Sequence, residues 1–183
     1  IEIHPRFAAF YSNRGEAYRK KSDFDRAVSD FTKAIEIDPR HAEAYNNQGL
    51  TYREKGQLDL AIADYDKALE LNPRYAEAYN NRGNAWGLLG NHRQALEDST
   101  KAIEFNREFT EAYYNRGAAH QSLGNLRQAI EDYNKAIELD AQYAAAYHNR
   151  GMAYGNLGDY RQAIEDMKTA ARLGNENAQH FLK

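Results

Sequence analysis

Six histidines, His4, His41, His92, His120, His148 and His180, are the residues of this chain best suited to acid–base or metal chemistry. None stands at the spacing that such chemistry needs. No two are four residues apart on a helical face, none has a glutamate at metal-ligand spacing, and no serine sits in a nucleophile elbow. The chain has no cysteine, which excludes thiolate catalysis and thiolate metal sites and leaves the redox compartment open. Acidic pairs such as Glu131–Asp132 and Glu165–Asp166 recur 34 residues apart, so they follow architecture rather than mark one reactive centre. No catalytic residue, metal or cofactor is expected. What does recur with chemical meaning is asparagine: Asn13, Asn47, Asn81, Asn115 and Asn149, each 34 residues from the next. A carboxamide offers donors and an acceptor, the two groups that every peptide unit presents whatever its side chain.

The segments that carry these asparagines, "FYSNRGEAY", "AYNNQGLTY", "AYNNRGNAW", "AYYNRGAAH" and "AYHNRGMAY", are themselves repeats. They set a frame of five units at 8–41, 42–75, 76–109, 110–143 and 144–177, with a tail from Ala178. Each unit begins with a helix carrying Tyr at position 4 (Tyr11, Tyr45, Tyr79, Tyr113, Tyr147), Gly at position 8 (Gly15, Gly49, Gly83, Gly117, Gly151) and, in four units, an aromatic residue at position 11 (Tyr18, Tyr52, Trp86, Tyr154). Spacings of three, four and seven place these on one face. Glycine inside a helix costs about 1 kcal/mol relative to alanine, so its recurrence at one register indicates close helix–helix approach. A second glycine at position 15 (Gly56, Gly90, Gly124, Gly158; Ser22 in the first unit) is a left-handed helix stop. The second helix carries alanines at positions 20 and 27, a seven-residue stripe into which a neighbour can settle. Ten helices are predicted near 8–21, 24–37, 42–55, 58–71, 76–89, 92–105, 110–123, 126–139, 144–157 and 160–172. An eleventh is expected in "NENAQHFLK", with Ala178, Phe181 and Leu182 covering the last pair. Residues 1–7, "IEIHPRF", match "IEIDPRH" at 35–41 and read as the closing half-turn of a truncated upstream repeat.

In these offsets the chain resembles the tetratricopeptide repeat family over all five units. The closing proline of the family pattern is present only as Pro39 and Pro73, and Ser99 stands where Phe31, Tyr65, Tyr133 and Met167 stand elsewhere, which predicts looser packing in the third unit. The resemblance implies an all-α, right-handed superhelical solenoid of antiparallel helix pairs, first helices lining a concave groove, each unit stable only through its neighbours. It also implies that the position-6 asparagines face that groove, where such a ladder either holds peptide main chain or caps and bridges helices. Five units would give a path of roughly 50 Å at about 10 Å per packed layer, room for on the order of 15 extended residues. On the same face the first two units offer mostly charged side chains, among them Ser12, Glu16, Arg19, Asn46, Arg53 and Glu54. The last three offer Asn80, Asn84, Tyr114, Gln121, His148, Met152 and Asn156, with Tyr114 and Met152 as candidate anchors. The cation pattern of the carboxylate-clamp members is missing, so binding of chaperone tails is not expected.

Position 7 is Arg14, Arg82, Arg116 and Arg150, with Gln48 the exception, and position 23 is aspartate throughout. The expected arrangement is structural pairing from one unit to the next: Asp64 with Arg82, Asp98 with Arg116, Asp132 with Arg150, and Asp30 left to Gln48. Charge names no partner, since 24 basic and 27 acidic residues are scattered along 183 positions for a net of -3, and no block suggests nucleic acid or a membrane surface. Mean hydropathy of -0.89 denies the chain a lipid-facing span. The expected function is a non-catalytic scaffold that binds a peptide or protein segment in its groove. A self-assembling structural unit forming homo-oligomers, and the substrate-selecting arm of a larger enzyme, stand as alternatives. No compartment is indicated, and the cytoplasm is the default.

Overall fold

The position-8 glycines set the depth at which paired helices meet. A Cβ placed on Gly49 would lie 2.8 Å from a ring carbon of Tyr65, and one on Gly117 would lie 2.8 Å from the equivalent carbon of Tyr133. The aromatic ring of the second helix therefore rests on the bare backbone of the first, as the sequence pattern predicts. In this computed structural model, which describes residues 5–181, eleven helices follow one another with no strand among the described residues. They are α1 (Pro5–Lys20), α2 (Phe24–Ile37), α3 (Ala42–Glu54), α4 (Leu58–Leu71), α5 (Ala76–Leu88), α6 (His92–Phe105), α7 (Thr110–Ser122), α8 (Leu126–Leu139), α9 (Ala144–Asn156), α10 (Tyr160–Arg172) and α11 (Glu176–Phe181). None of them is long and apolar enough to cross a membrane. The helix array was legible in the sequence, with one shift: α1 starts at Pro5, so residues 5–7 are helical where a turn was expected. Proline is tolerated in a first helical turn, where its missing N–H has no intrahelical partner to lose. Ile1–His4, the rest of the expected half-turn, lie outside the described residues.

The chain forms two compact units, residues 1–90 and 91–183. In the first, α1 pairs with α2 and α3 with α4, and α2 and α4 each also pack on the next first helix. Ala27, Phe31, Ala34, Ala44, Ala61, Tyr65, Ala68 and Ala78 are wholly buried between them. In the second, α7 pairs with α8 and α9 with α10 around Ala112, Ala129, Tyr133, Ala136, Ala146, Ala153 and Ala170, while α11 closes on α10. First helices of consecutive repeats also touch each other, α1 with α3 and α3 with α5 in one unit and α7 with α9 in the other. Second helices make no comparable approach, so first helices form the inner layer of each unit.

Two kinds of turn join the helices. Between repeats, the side chain at position 31 of the repeat accepts the backbone N–H two residues on: Asp38 from Arg40 (3.0 Å), Asn72 from Arg74 (3.2 Å), Asn106 from Glu108 (3.1 Å) and Asp140 from Gln142 (2.9 Å). This Asx turn is present with or without the following proline, which is why Arg107 and Ala141 do not open the junctions. Within repeats, the stop residue is left-handed: Gly56, Gly90, Gly124 and Gly158 have φ of 75°, 80°, 79° and 85°, and Ser22 is forced to 59°. A side chain costs about 1–2 kcal/mol in that region. Ser22→Gly should therefore raise the unfolding free energy by about 1 kcal/mol in urea titration, and a loss of stability would show that the hydroxyl matters more than the backbone.

At the C-terminus Asn175 accepts the N–H of Ala178 (2.9 Å), and Ala178 is fully buried, so α11 begins as a cap should. Phe181 does not share the work: 61% of it is exposed, contrary to expectation. The helix is only six residues long, and its single buried contact is the alanine, one turn before Phe181. Leu182 lies outside the described residues.

The Arg–Asp pairs run opposite to the sequence-based assignment. Arg14 forks onto Asp30 (2.6 and 2.8 Å), Arg116 onto Asp132 (2.9 and 2.6 Å) and Arg150 onto Asp166 (2.8 and 2.7 Å), each within its own repeat. Position 7 also reaches back to position 25 of the preceding repeat: Arg82 to Asp66 (2.5 Å), Arg150 to Asn134 (2.6 Å) and Gln48 to Thr32 (2.8 Å). The arginine thus ties its own second helix to the one before, and stacks over the position-4 tyrosine at 5.3–5.6 Å in Arg14–Tyr11, Arg82–Tyr79, Arg116–Tyr113 and Arg150–Tyr147. Where Gln48 replaces it, Asp64 pairs with no cation among the described residues. Its Oδ2 is buried without a hydrogen-bond partner, and burial pushes its pKa up to about 7.

Candidate functional site

The position-6 asparagines lie on the inner layer, but Asn47, Asn81 and Asn149 are not the free carboxamides that the sequence suggested. In the N-terminal unit Asn81 Nδ2 donates to Asn46 Oδ1 at 3.0 Å, and Asn46 Nδ2 donates in turn to Asn47 Oδ1 at 3.2 Å. In the C-terminal unit Asn149 Nδ2 donates to the Tyr114 hydroxyl at 3.0 Å. The rule is the same in both. Position 6 of one repeat leans on position 5 of the repeat before, 35 residues earlier, because the two first helices touch there. One N–H of Asn81 and of Asn149 is spent on this link. Asn149 also meets the Tyr133 hydroxyl, whereas the carbonyl oxygen and second N–H of Asn81 take no hydrogen bond among the described residues, so Asn81 still presents one acceptor and one donor and Asn149 an acceptor. Asn13 is exposed, and Asn115 is half-buried.

Position 5 is correspondingly a supporting position rather than an open groove position. Ser12, Asn46 and Asn80 are 5%, 4% and 8% exposed, too little to meet a ligand broadly. Tyr114 is larger and only half-buried, its ring tilted against Tyr133 and Tyr143 at centroid distances of 5.9 and 5.1 Å. His148 occupies the same place in the next repeat with Nδ1 buried and unpartnered, and burial lowers its pKa, which favours the uncharged ring. Met152, 40% exposed one turn along α9, is the accessible apolar side chain of this face. The inner face of the C-terminal unit is therefore built from neutral groups: two carboxamides, a phenol, an imidazole and a thioether.

The inner face of the N-terminal unit is charged, and most of that charge is internally satisfied. Arg19 forks onto Glu16 (2.9 and 2.8 Å) and reaches Glu54 (2.5 Å) across to α3. Arg53 donates to Asn84 Oδ1 at 3.3 Å across to α5. These ion pairs lie on α1 and α3, while Tyr114, His148 and Met152 lie on α7 and α9. What the sequence did not reveal is that Arg19 pairs while Arg53 meets only an amide.

The tetratricopeptide repeat pattern matches residues 8–41, 76–109 and 110–143, a second pattern described by the same name matches 31–63 and 132–165, and a TPR repeat pattern matches 49–90. The chain belongs to the tetratricopeptide repeat family. Among solved tetratricopeptide structures, the crystal structure of MamA is similar at a TM-score of 0.78 and 31% identity, over 90% of this chain and 96% of MamA. YrrB, described as a tetratricopeptide protein with an unusual peptide-binding site, is similar at 0.74 and 26% identity, over 93% and 89% of the two chains. PilF of Pseudomonas aeruginosa shares the fold at 0.87 with 22% identity, over 95% of this chain and 79% of its own. No curated protein matches the sequence.

Proposed function

We propose that this tetratricopeptide chain is a non-catalytic scaffold that holds an extended peptide segment of another protein against its first helices. The observation that carries the reading is the half-used carboxamide. Asn81 and Asn149 are each fixed in orientation by a bond to the preceding repeat; Asn81 keeps one donor and one acceptor for a peptide unit, and Asn149, which also meets the Tyr133 hydroxyl, keeps its acceptor. Fixing the side chain beforehand removes rotamer entropy that a free asparagine would lose on binding. The peptide-binding site named for YrrB, similar over nearly the whole chain, points the same way. The neutral face around Tyr114, His148 and Met152 suits uncharged side chains of the segment, with Met152 and the Tyr114 ring as apolar contacts.

A library of random 15-residue peptides displayed on phage supplies ligands for the test. Peptides selected on the wild-type chain should lose several-fold in affinity to Asn149→Ala, since one hydrogen bond is worth about 0.5–1.5 kcal/mol. Asn81→Ala should weaken binding similarly and also lower stability by about 1 kcal/mol, because it strands the buried Asn46 carbonyl. Selected peptides that bind both variants as tightly as wild type would move the site off the ladder.

A further inference from the structure

Repeats 2 and 4 place a tyrosine at position 24, Tyr65 and Tyr133, both wholly buried. In repeat 4 the Tyr133 hydroxyl donates to Gln121 Oε1 at 2.9 Å, an acceptor at position 12 of the first helix. In repeat 2 position 12 is Arg53, and a guanidinium has only donors. The Tyr65 hydroxyl is buried with no hydrogen-bond partner, within electrostatic reach of Arg53, Glu54, Asp64 and Arg19. Burial raises its pKa, so it keeps its proton and remains a donor. Glu54 is engaged by Arg19, as is Glu16, and the buried Asp64 carboxyl, next to Tyr65 in α4, gives the hydroxyl no hydrogen bond. Asn84 turns its oxygen to Arg53, which leaves its N–H groups as donors too. Hydroxyl, guanidinium and amide therefore stand here with donors in excess, and no acceptor among the described residues meets the hydroxyl.

We propose that Arg53, supported by Asn84 and Tyr65, receives the carboxylate of an aspartate or glutamate side chain carried by the segment bound on the N-terminal unit's inner face. This rests on the peptide-binding reading of that face. The guanidinium supplies charge-assisted N–H bonds, and the carboxylate supplies the acceptor that Gln121 provides in repeat 4. A side chain rather than a chain end fits, because α1 and α5 continue the face on both sides of α3 with Asn13 and Asn81.

The probes are N-acetyl-glutamate N-methylamide, its glutamine counterpart, and acetylated 15-residue Ala/Ser/Gly peptides with a central Glu or Gln, C-terminally amidated. A Gln peptide with a free C-terminus serves as the chain-end arm. NMR follows the Arg53 Nε–H signal for the carboxylate and the Asn47 and Asn81 side-chain amides for the peptide. The Glu peptide should bind on the order of tenfold more tightly than the Gln peptide and shift Arg53 Nε–H. In Arg53→Gln the preference should vanish while thermal stability holds or rises, since glutamine gives Tyr65 the acceptor that Tyr133 already has. Equal binding of Glu and Gln peptides with shifted Asn81 amides overturns the acid site and leaves the groove reading standing. A response of Arg53 to acetyl-glutamate with no peptide moving the amides does the reverse. Preference for the free C-terminus over the Glu side chain also overturns the proposal.

Discussion

Replacing Gln48 with arginine should stabilise the protein at pH 8 by roughly 2–3 kcal/mol and have little effect at pH 4.5. The sign follows from Asp64. Its folded pKa is raised to about 7 by burial from an ordinary value of 3.8. Between pH 4 and 7 the folded protein holds a proton that the unfolded chain has released, so this group's contribution to stability falls as pH rises through that window and stays low above it. The groups that face Asp64 do not relieve it. Burial is the only cause of its shift, and Tyr52 of α3 is itself raised by burial first and by the Asp64 charge second. An arginine at position 48 would stand where Arg14 meets Asp30 and would favour the ionised carboxylate. The stabilisation should therefore grow by on the order of 3 kcal/mol from pH 4.5 to pH 8, measured as the difference between variant and wild-type urea midpoints at each pH. A gain independent of pH would show that Asp64 is not the group involved.

The largest loss is expected from Gly49→Ala. Helix propensity alone favours alanine by up to about 1 kcal/mol. Against it, the new Cβ would stand 2.8 and 2.9 Å from two ring carbons of Tyr65 and 3.0 Å from the Ala61 carbonyl oxygen. The ring fills the core and the carbonyl is backbone, so neither can give way without moving α4 against α3. Overpacking of this kind costs typically 1–3 kcal/mol, and a net loss of about 2 kcal/mol is expected. Gly155→Ala is the matched control, since its Cβ would meet only the Ala163 Cβ at 3.8 Å, an ordinary contact, and it should gain about 0.5–1 kcal/mol. Chemical denaturation of both variants tests the contrast; equal behaviour would mean that the glycine register reflects something other than ring-on-backbone packing.

These cases mark what the sequence could and could not carry. Period and small-residue register specify which faces meet, so the hairpins, the glycine–aromatic contacts and the left-handed stops were legible before any coordinates. The direction of the Arg–Asp pairs was not. From Asp132, Arg116 lies 16 residues back and Arg150 lies 18 ahead, and only the rotation of the second helix about its axis decides between them. The ladder was legible as a row of asparagines, but its bonding was not, because the state of Asn149 depends on Tyr114, 35 residues away in a neighbouring helix. The Arg53 site had a signal that comparison of repeats would have found: position 12 is a glutamine beneath Tyr133 and an arginine beneath Tyr65. Phe181 was misjudged because an apolar residue in a terminal helix was assumed to face inward.

The backward reach of positions 6 and 7 bears on how such an array could change by recombination. Excising residues 42–75 in frame would rejoin helix to helix without disturbing the period. It would also set Asn81 beside Ser12 instead of Asn46 and Arg82 beside Thr32 instead of Asp66. A serine hydroxyl can still accept from the amide, but a threonine brings no charge to the guanidinium. Across this junction the heritable module is therefore a matched pair of faces, half from each neighbour, and a 34-residue cassette exchanged without its neighbour's face would lose its arginine's charged tie to the preceding repeat.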